Sequence, residues 1–171
     1  MGITTRQANA LGFAACALLF GYALYQQHVL GLEPCHLCVF QRIGVLAIGL
    51  VFLVATLHGP RAGGAKAYGL LAALAAAVTA GIAARHVWIQ QQPPGSVPAC
   101  GADLDFMLDV MPLQEVVAKV LAGGGECQKV DWQFLGLSMP AWVFMAAVAL
   151  GAWALWANFR RQASSRSSIR T

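Results

Sequence analysis

The sequence predicts an all-α membrane protein, a four-transmembrane-helix bundle with one long outward-facing loop that contains a short amphipathic helix. Of the 171 residues, 58% are hydrophobic and only 11% are charged, and the mean hydropathy is +0.63. A soluble domain has about 25% charged residues, so this chain has too few polar side chains to cover a globule of its size. Composition therefore argues against a soluble enzyme, a disordered chain and a secreted disulfide-rich module.

Four stretches are long and apolar enough to cross a bilayer as helices, which takes about 20 residues each. We expect a single membrane domain over residues 1–171, with spans at about 10–29, 37–57, 67–89 and 137–157. Alanine and glycine are abundant in the third span, where small residues allow close helix packing. A cleaved signal peptide is a poor alternative, because the first apolar run is too long and leads directly into the second span.

The charged residues orient this bundle. Most basic residues flank one side of the spans: Arg6, Arg61, Lys66, Arg160, Arg161, Arg166 and Arg170. All seven acidic residues fall in the loops on the other side, 30–36 and 90–136. Because loops rich in Lys and Arg stay in the cytoplasm, both termini and loop 58–66 are predicted to be cytoplasmic. Lys119 and Lys129 depart from the pattern but lie deep in the long loop. The net charge of +4 is thus a topology signal, and no nucleic-acid partner is predicted.

Four of the five cysteines lie on the outward side. Cys35 and Cys38 form a C-x-x-C pair where the second span begins, and Cys100 and Cys127 lie in the long loop. Cys16 lies inside the first span, where a free cysteine is a small hydrophobe. In an oxidising compartment the outward four have three connectivities open to them, of which we expect Cys35–Cys38 and Cys100–Cys127 at rest. A zinc site is disfavoured, because such sites use two close cysteine pairs and 26 residues separate Cys100 from Cys127.

The C-x-x-C spacing has a chemical meaning at a helix start. Residues three apart share one helix face, and the N–H groups of the first turn stabilise a thiolate, which is the reactive form. Arg42 lies one turn deeper than Cys38, and a charge at the edge of a span is usually functional. These features fit a redox-active pair, and they fit equally a structural disulfide with Arg42 reaching to the membrane surface.

The long loop contains a helical pattern formed by Leu113, Val116, Val117, Val120 and Leu121. Pro112 suits the first helical position, and Gly123-Gly124-Gly125 ends the segment. Such a helix lies either on the membrane surface or against the protein's own loop. The glycines predict a flexible tether for Cys127, and residues 92–99 predict an extended, exposed stretch before Cys100. A mobile disulfide beside one at the membrane edge favours a dithiol relay.

In these features the sequence resembles the DsbB family of bacterial inner-membrane disulfide oxidases. The shared motifs, besides the four spans and the two cysteine-bearing loops, are Pro34-Cys35-x-x-Cys38-x-x-x-Arg42, Trp132-x-Phe134-Leu135-Gly136 and Met139-Pro140-x-Trp142. The resemblance implies a protein-disulfide:quinone oxidoreductase of the inner membrane, with its active loops in the periplasm and a single bundle as its functional unit. DsbB is known to keep the periplasm oxidising together with DsbA and quinone, so this role comes from the resemblance and not from the residues.

The resemblance also implies a catalytic role for each outward cysteine. The Cys100–Cys127 disulfide would oxidise a DsbA-like thioredoxin-fold partner, whose thiolate attacks Cys100 and releases Cys127. Cys127 would then reach Cys35, and Cys38 would be the thiolate that meets a membrane quinone, either ubiquinone or menaquinone.

Three further residues are implied to contact the quinone: Arg42, His86 and Trp142. Arg42 and His86 would stabilise charge on its oxygens. On the residues alone, an ordinary interfacial role for His86 is the simpler hypothesis. Gln41 replaces the acidic residue that some members have beside the arginine, which places in doubt any mechanism that needs a carboxylate there.

Two other functions stay open at this point. One is a non-catalytic membrane assembly protein whose disulfides only brace its loops. The other is a thiol–quinone enzyme similar to vitamin K epoxide reductase. In that family the C-x-x-C pair lies in a late span, whereas here it opens the second.

Overall fold

The computed structural model describes residues 3–60, 62–93, 96, 104–130 and 132–159. The helices and strands follow in the order α1 (Thr5–His28), α2 (His36–His58), α3 (Ala62–Gln90), α4 (Leu104–Val110), α5 (Leu113–Ala122), a 3₁₀ helix (Gly125–Gln128), β1 (Gln133–Phe134), β2 (Leu137–Ser138) and α6 (Met139–Phe159). Four of them, α1, α2, α3 and α6, are long and apolar enough to cross a membrane. The predicted all-α, four-helix membrane protein is therefore confirmed.

Local sequence signals explain where the long helices begin and end. The Thr4 hydroxyl accepts a hydrogen bond from the backbone N–H of Gln7 (3.2 Å), and the Gln7 side chain accepts one from the N–H of Thr4 (2.8 Å). This reciprocal pair satisfies two N–H groups that the first turn of α1 leaves free. Helix α2 ends at Gly59, whose positive φ of 56° turns the chain while its N–H bonds to the Ala55 carbonyl.

The four long helices pack around one central core. Helix α3 packs most extensively on α6, and α2 packs on both α1 and α3, whereas α1 and α6 share a smaller contact. The core consists of small and medium side chains with one large ring: Cys16, Val45, Ile48, Phe52, Ala72, Ala76, Leu150 and Ala154. Cys16 is buried among them, about halfway along α1.

A close approach of α2 and α3 positions one functional side chain. A Cβ atom on Gly44 would overlap the side chain of Thr79, so the two backbones meet at a point that only glycine permits. The Thr79 hydroxyl is satisfied by its own helix, because it donates to the Ala75 carbonyl at 2.8 Å. His86 follows Thr79 by two turns of α3, and it is therefore carried to the start of α2.

The long loop folds back over this end of the bundle, which we call the cysteine end and define as the end where α2 and α6 begin. Val116 and Val120 of α5 are buried in a second cluster with Leu37, Ile89, Met107 and Cys127. The amphipathic helix thus packs against the protein, with Pro112 just before its first residue and Gly123 just after its last. Arg85 holds its far end, because the guanidinium donates to the carbonyls of Leu121 and Ala122.

A β-hairpin precedes α6, and the sequence patterns gave no indication of it. Phe134 pairs with Leu137 across a two-residue turn, Leu135-Gly136, in which both residues have positive φ (53° and 78°). Such turns match the twist of a hairpin. The predicted fourth span began at Leu137, but Leu137 and Ser138 form β2 and the helix begins at Met139.

Candidate active site

The C-x-x-C pair lies at the first turn of α2. Cys35 is the residue that caps the helix, and its Sγ accepts a hydrogen bond from the N–H of Cys38 at 3.4 Å. The Sγ atoms of Cys35 and Cys38 are 2.8 Å apart, and both side chains are half-buried. The helix N-terminus therefore stabilises negative charge on Cys35 as well as on Cys38.

Cys127 reaches the same place from the long loop. It lies in the 3₁₀ helix, is 1% exposed, and its N–H donates to the Gly124 carbonyl at 2.9 Å. Gly123 has a φ of 81°, and a Cβ atom there would overlap the side chain of Ile89. The sequence analysis interpreted the glycines as a flexible tether. In the structure Gly123 lets the backbone pack directly on Ile89 of α3, and Cys127 follows four residues later at the cysteine end.

The environment of Cys127 favours its protonated form. A hydrogen bond to the side chain of Cys35 is the main cause that raises the pKa of the Cys127 thiol, and burial raises it further.

His86 completes a group of four side chains. Its ring is 2% exposed, its Nε2 is 3.8 Å from the Sγ of Cys35, and its Nδ1 is 4.0 Å from the Sγ of Cys38. The ligand atoms of Cys35, His86 and Cys127 all lie within 4.8 Å of one another. We call Cys35, Cys38, His86 and Cys127 the thiol–histidine cluster. The structure places His86 inside the bundle and against the sulfur atoms, and not at an ordinary interfacial position.

Gln41 orients the histidine, and the sequence analysis did not find this contact. Its side chain is 3% exposed, and its Nε2 lies 3.0 Å from His86 Nδ1. An amide nitrogen can only donate, so Nδ1 accepts and the ring proton is on Nε2, which faces Cys35. The signal available in the sequence was the spacing, because Gln41 lies three residues after Cys38 and thus on the same helix face.

Arg42 is anchored to α1 by two hydrogen bonds. Its guanidinium donates to the side-chain oxygen of Gln27 at 2.5 Å and to the Ala23 carbonyl at 3.2 Å. Gln27 was not predicted to have a role. The neighbouring Gln26 is 2% exposed, and its Nε2 has no hydrogen-bond partner among the residues that the structure describes. Two adjacent glutamines at the end of an apolar span were the signal that could have drawn attention to both.

Trp142 and Cys100 are the two remaining predicted residues. Trp142 donates from its ring nitrogen to the Phe134 carbonyl at 3.1 Å, and the two rings are 5.9 Å apart. Its described contacts thus join α6 to the hairpin. Phe134 stacks in turn on Trp132, which meets Tyr22 of α1. Cys100 lies outside the described residues, as do Arg61 and the arginines after residue 159.

The structure is a membrane helical bundle in which a C-x-x-C pair at a helix start, a third cysteine and a buried histidine form one cluster. This arrangement defines the class of the protein, an integral-membrane thiol–disulfide oxidoreductase. Comparison with known families agrees with that class. The chain belongs to the DsbB family, disulfide bond formation protein DsbB, whose family model matches residues 5–157.

Individual relatives carry the same name. The chain is 54% identical over 153 residues to disulfide bond formation protein B of Xanthomonas campestris pv. campestris (strain 8004), covering 89% of each chain. It is 49% identical over 156 residues to the protein of that name from Nitrosococcus oceani, covering 91% of this chain and 92% of the relative. For Saccharophagus degradans the identity is 47% over 156 residues, with 91% and 94% covered. The resemblance found in the sequence is therefore confirmed.

Proposed function

We propose that the chain is a disulfide oxidase that reoxidises a DsbA-like thioredoxin-fold protein and passes the electrons to a membrane quinone. The main support is the thiol–histidine cluster, in which a cysteine of the long loop lies beside the C-x-x-C pair. A disulfide that only braced a loop would not need a third thiol and a buried histidine within 4.8 Å. Exchange between two disulfides does need such an approach, because one thiolate must attack the sulfur of another bond.

The relay conserves electrons at each exchange. The partner's thiolate attacks Cys100, forms a mixed disulfide and releases Cys127, which attacks Cys35 and releases Cys38 as a thiolate. The partner's second thiol breaks the mixed disulfide, so the partner leaves oxidised and Cys100 is free. Cys100 then attacks Cys127, which restores their disulfide and leaves Cys35 and Cys38 reduced. Two electrons and two protons have moved from the partner to this pair.

The surroundings of the pair fit a quinone of the ubiquinone or menaquinone class. When bound, a quinone accepts two electrons and two protons, and negative charge develops on its oxygens. Arg42, held by Gln27 at the α1–α2 interface, supplies a cation for such an oxygen. Gln26 is next to Gln27 in the chain, and its unpartnered Nε2 supplies a second buried donor. His86 keeps its Nε2 proton facing Cys35, and Trp142 is proposed to lie at the edge of the quinone site.

We also propose that the protein lies in the bacterial inner membrane as a monomer, with the cysteine end in the periplasm. The seven acidic residues fall in the loops of that end, and seven basic residues flank the other. A membrane-impermeant thiol reagent added to intact cells after reduction should label Cys100, and more slowly Cys127, because Cys127 is buried. Labelling of these residues only after lysis would contradict the orientation.

The central experiment combines purified protein, a reduced DsbA-like partner and a soluble quinone, and follows quinol formation. We expect wild-type protein to reduce the quinone and Cys38→Ser to abolish the reaction. Cys16→Ala is the matched control, because Cys16 is buried in the central core and should leave the rate unchanged. Absence of quinone reduction by the wild type, or full activity of Cys38→Ser, would contradict the proposal and favour a non-catalytic assembly protein.

A further inference from the structure

We propose that the reduced protein binds one thiophilic divalent cation, with Zn²⁺ as the reference ion, through Cys35, Cys38, Cys127 and His86. These four residues offer three sulfur atoms and one ring nitrogen. Three sulfurs with one imidazole is an established donor set for zinc, and C-x₂-C is a spacing that supplies two of the ligands. The sequence analysis disfavoured zinc because Cys127 is far from Cys100 along the chain, but the fold gives Cys127 different neighbours.

The distances in the cluster are close to those that a tetrahedral ion requires. Zinc bonds of about 2.3 Å to sulfur and about 2.0–2.1 Å to nitrogen place a sulfur and a nitrogen about 3.6 Å apart, and two sulfurs about 3.8 Å apart. The Cys35 Sγ is 3.8 Å from His86 Nε2, and the Cys127 Sγ lies within 4.8 Å of the Cys35 Sγ and of a ring nitrogen of His86. The Cys38 Sγ is 2.8 Å from that of Cys35, so these two sulfurs would have to move about 1 Å apart to bind one zinc ion together.

A residue behind the histidine is suited to orient it toward the ion. A histidine that binds metal through one ring nitrogen donates its other N–H to an acceptor. Gln41 lies 3.0 Å from Nδ1, and turning its amide by 180° presents the oxygen in place of the nitrogen. His86 then donates from Nδ1 to Gln41 and binds the cation through Nε2. The same glutamine can therefore serve the metal-free and metal-bound forms.

Burial and access are both compatible with binding. His86 and Cys127 are buried, which excludes competing water, whereas Cys35 and Cys38 are only half-buried and can be reached from the surface. The carboxylate of Glu126, next to Cys127 in the chain, is exposed and lies 3.5 Å from His36 at the start of α2. It places negative charge at the start of α2, next to the half-buried C-x-x-C pair.

Binding changes protonation and not oxidation. Each thiol that coordinates the ion loses its proton, and no electron is transferred. A Cys35–Cys38 disulfide removes two of the four ligands, so the site exists only in the reduced protein. Coordination to Zn²⁺ lowers the nucleophilicity of a thiolate, and bound zinc should therefore slow the relay. Only this last consequence rests on the proposed function, because the binding itself needs no partner and no quinone.

The test uses the full-length protein in detergent, reduced, freed of reductant without oxygen, and titrated with Co²⁺ as a coloured substitute for Zn²⁺. We expect one Co²⁺ per chain, with the strong visible absorption of tetrahedral thiolate coordination, and loss of that absorption when Zn²⁺ is added. Zn²⁺ should also protect Cys127 from alkylation and leave Cys100 reactive. Cys16→Ala and Cys100→Ser are the matched controls and should bind as the wild type does.

The ligand variants decide the outcome. Cys127→Ala and His86→Ala should each weaken Co²⁺ binding by at least about 10-fold, since even outer-shell changes cost about 10–100-fold. Equal affinity in these two variants would show a simple Cys35–Cys38 dithiol complex and would overturn the proposal, as would the absence of tetrahedral absorption in reduced wild type. Circular dichroism would verify that each variant is folded. Metal binding without any quinone reduction would refute the proposed function and leave this site intact.

Discussion

The hydrogen bond between Gln41 and His86 gives the sharpest prediction about the site. Replacing Gln41→Leu keeps a side chain of similar size and removes the amide that donates to His86 Nδ1. The ring is then free to change tautomer or to rotate. In either case the proton on Nε2 no longer faces Cys35, and fewer molecules hold the arrangement that we propose for electron transfer.

Two ranges of free energy set limits on the effect of losing this hydrogen bond. Leaving a buried polar group without its partner costs about 1–3 kcal/mol. Hydrogen bonds between membrane helices contribute about 0.6 kcal/mol on average and about 1.7 kcal/mol at most. The 3.0 Å distance and the near-complete burial of both side chains place this bond in the upper part of the membrane range. The two ranges overlap at about 1–1.7 kcal/mol, which corresponds to a roughly 5–20-fold loss of the productive orientation.

The assay is the rate of quinol formation at saturating partner and quinone, which should fall by that factor in Gln41→Leu. Nitrogen-15 spectra of histidine-labelled protein should show a changed tautomer for His86. Gln41→Glu is the informative companion, because a carboxylate only accepts and thus requires a proton on Nδ1. We expect it to restore the hydrogen bond and to alter the pH profile. Gln114→Leu, an exposed glutamine on α5, is the matched control.

Two results would refute this reasoning. One is a full rate of quinol formation in Gln41→Leu. The other is a loss of rate that follows the loss of helical structure while the tautomer of His86 stays the same, because that outcome would give Gln41 a purely structural role.

Three further predictions concern other contacts. Asn9 and Asn158 exchange amide hydrogen bonds at 3.2 and 3.3 Å, so Asn9→Leu should lower the free energy of unfolding in detergent by about 1–3 kcal/mol. The double variant Asn9→Leu with Asn158→Leu should recover most of that loss, because it leaves no buried amide unpaired. Additive losses in the double variant would contradict the pairing. Gln27→Leu releases Arg42 and should raise the KM for quinone roughly 3–20-fold, the factor that corresponds to the energy of a hydrogen bond between membrane helices. An unchanged KM would exclude the anchoring role. Because its pKa is raised, reduced Cys127 should be alkylated more slowly than an ordinary thiol of pKa about 8.5. The rate of alkylation, measured by mass spectrometry, should still increase above about pH 9.5. A rate that is constant above that pH would count against the hydrogen bond to Cys35.

The sequence predicted the features that depend on local spacing. The membrane helices follow from hydropathy along the chain, and the C-x-x-C pair with Arg42 follows from spacing within one helix. The hydrogen bonds of Gln41 to His86 and of Gln27 to Arg42 join different helices, and the partners are 45 and 15 positions apart in the sequence. Periodicity relates residues on one element and carries no information about which helix faces which. Only the family resemblance pointed to His86.

Glycine shows why the long loop was harder to predict. A glycine such as Gly123 permits both a mobile chain and a close contact with a neighbour, and the sequence alone favoured the mobile chain. The contact depends on Ile89 of α3, which is distant along the chain. Two other elements were missed because their local signals are weak. Helix α4 is too short to show a periodic pattern, and the hairpin turns at Leu135-Gly136, which lacks the Asn-Gly signal of such turns.

The relay and the metal site use the same approach of Cys127 to Cys35, and they compete for it. Disulfide exchange needs at least one disulfide among the cysteines. The cation, in contrast, needs Cys35, Cys38 and Cys127 to be reduced at the same time. Reoxidation by quinone removes two of those thiols, so the fraction of protein that can bind metal depends on how quickly the pair is reoxidised. We therefore expect inhibition by Zn²⁺ to be strongest when quinone is limiting and to fall as quinone is added. Inhibition that is independent of quinone concentration would mean that zinc acts elsewhere on the protein or on the partner.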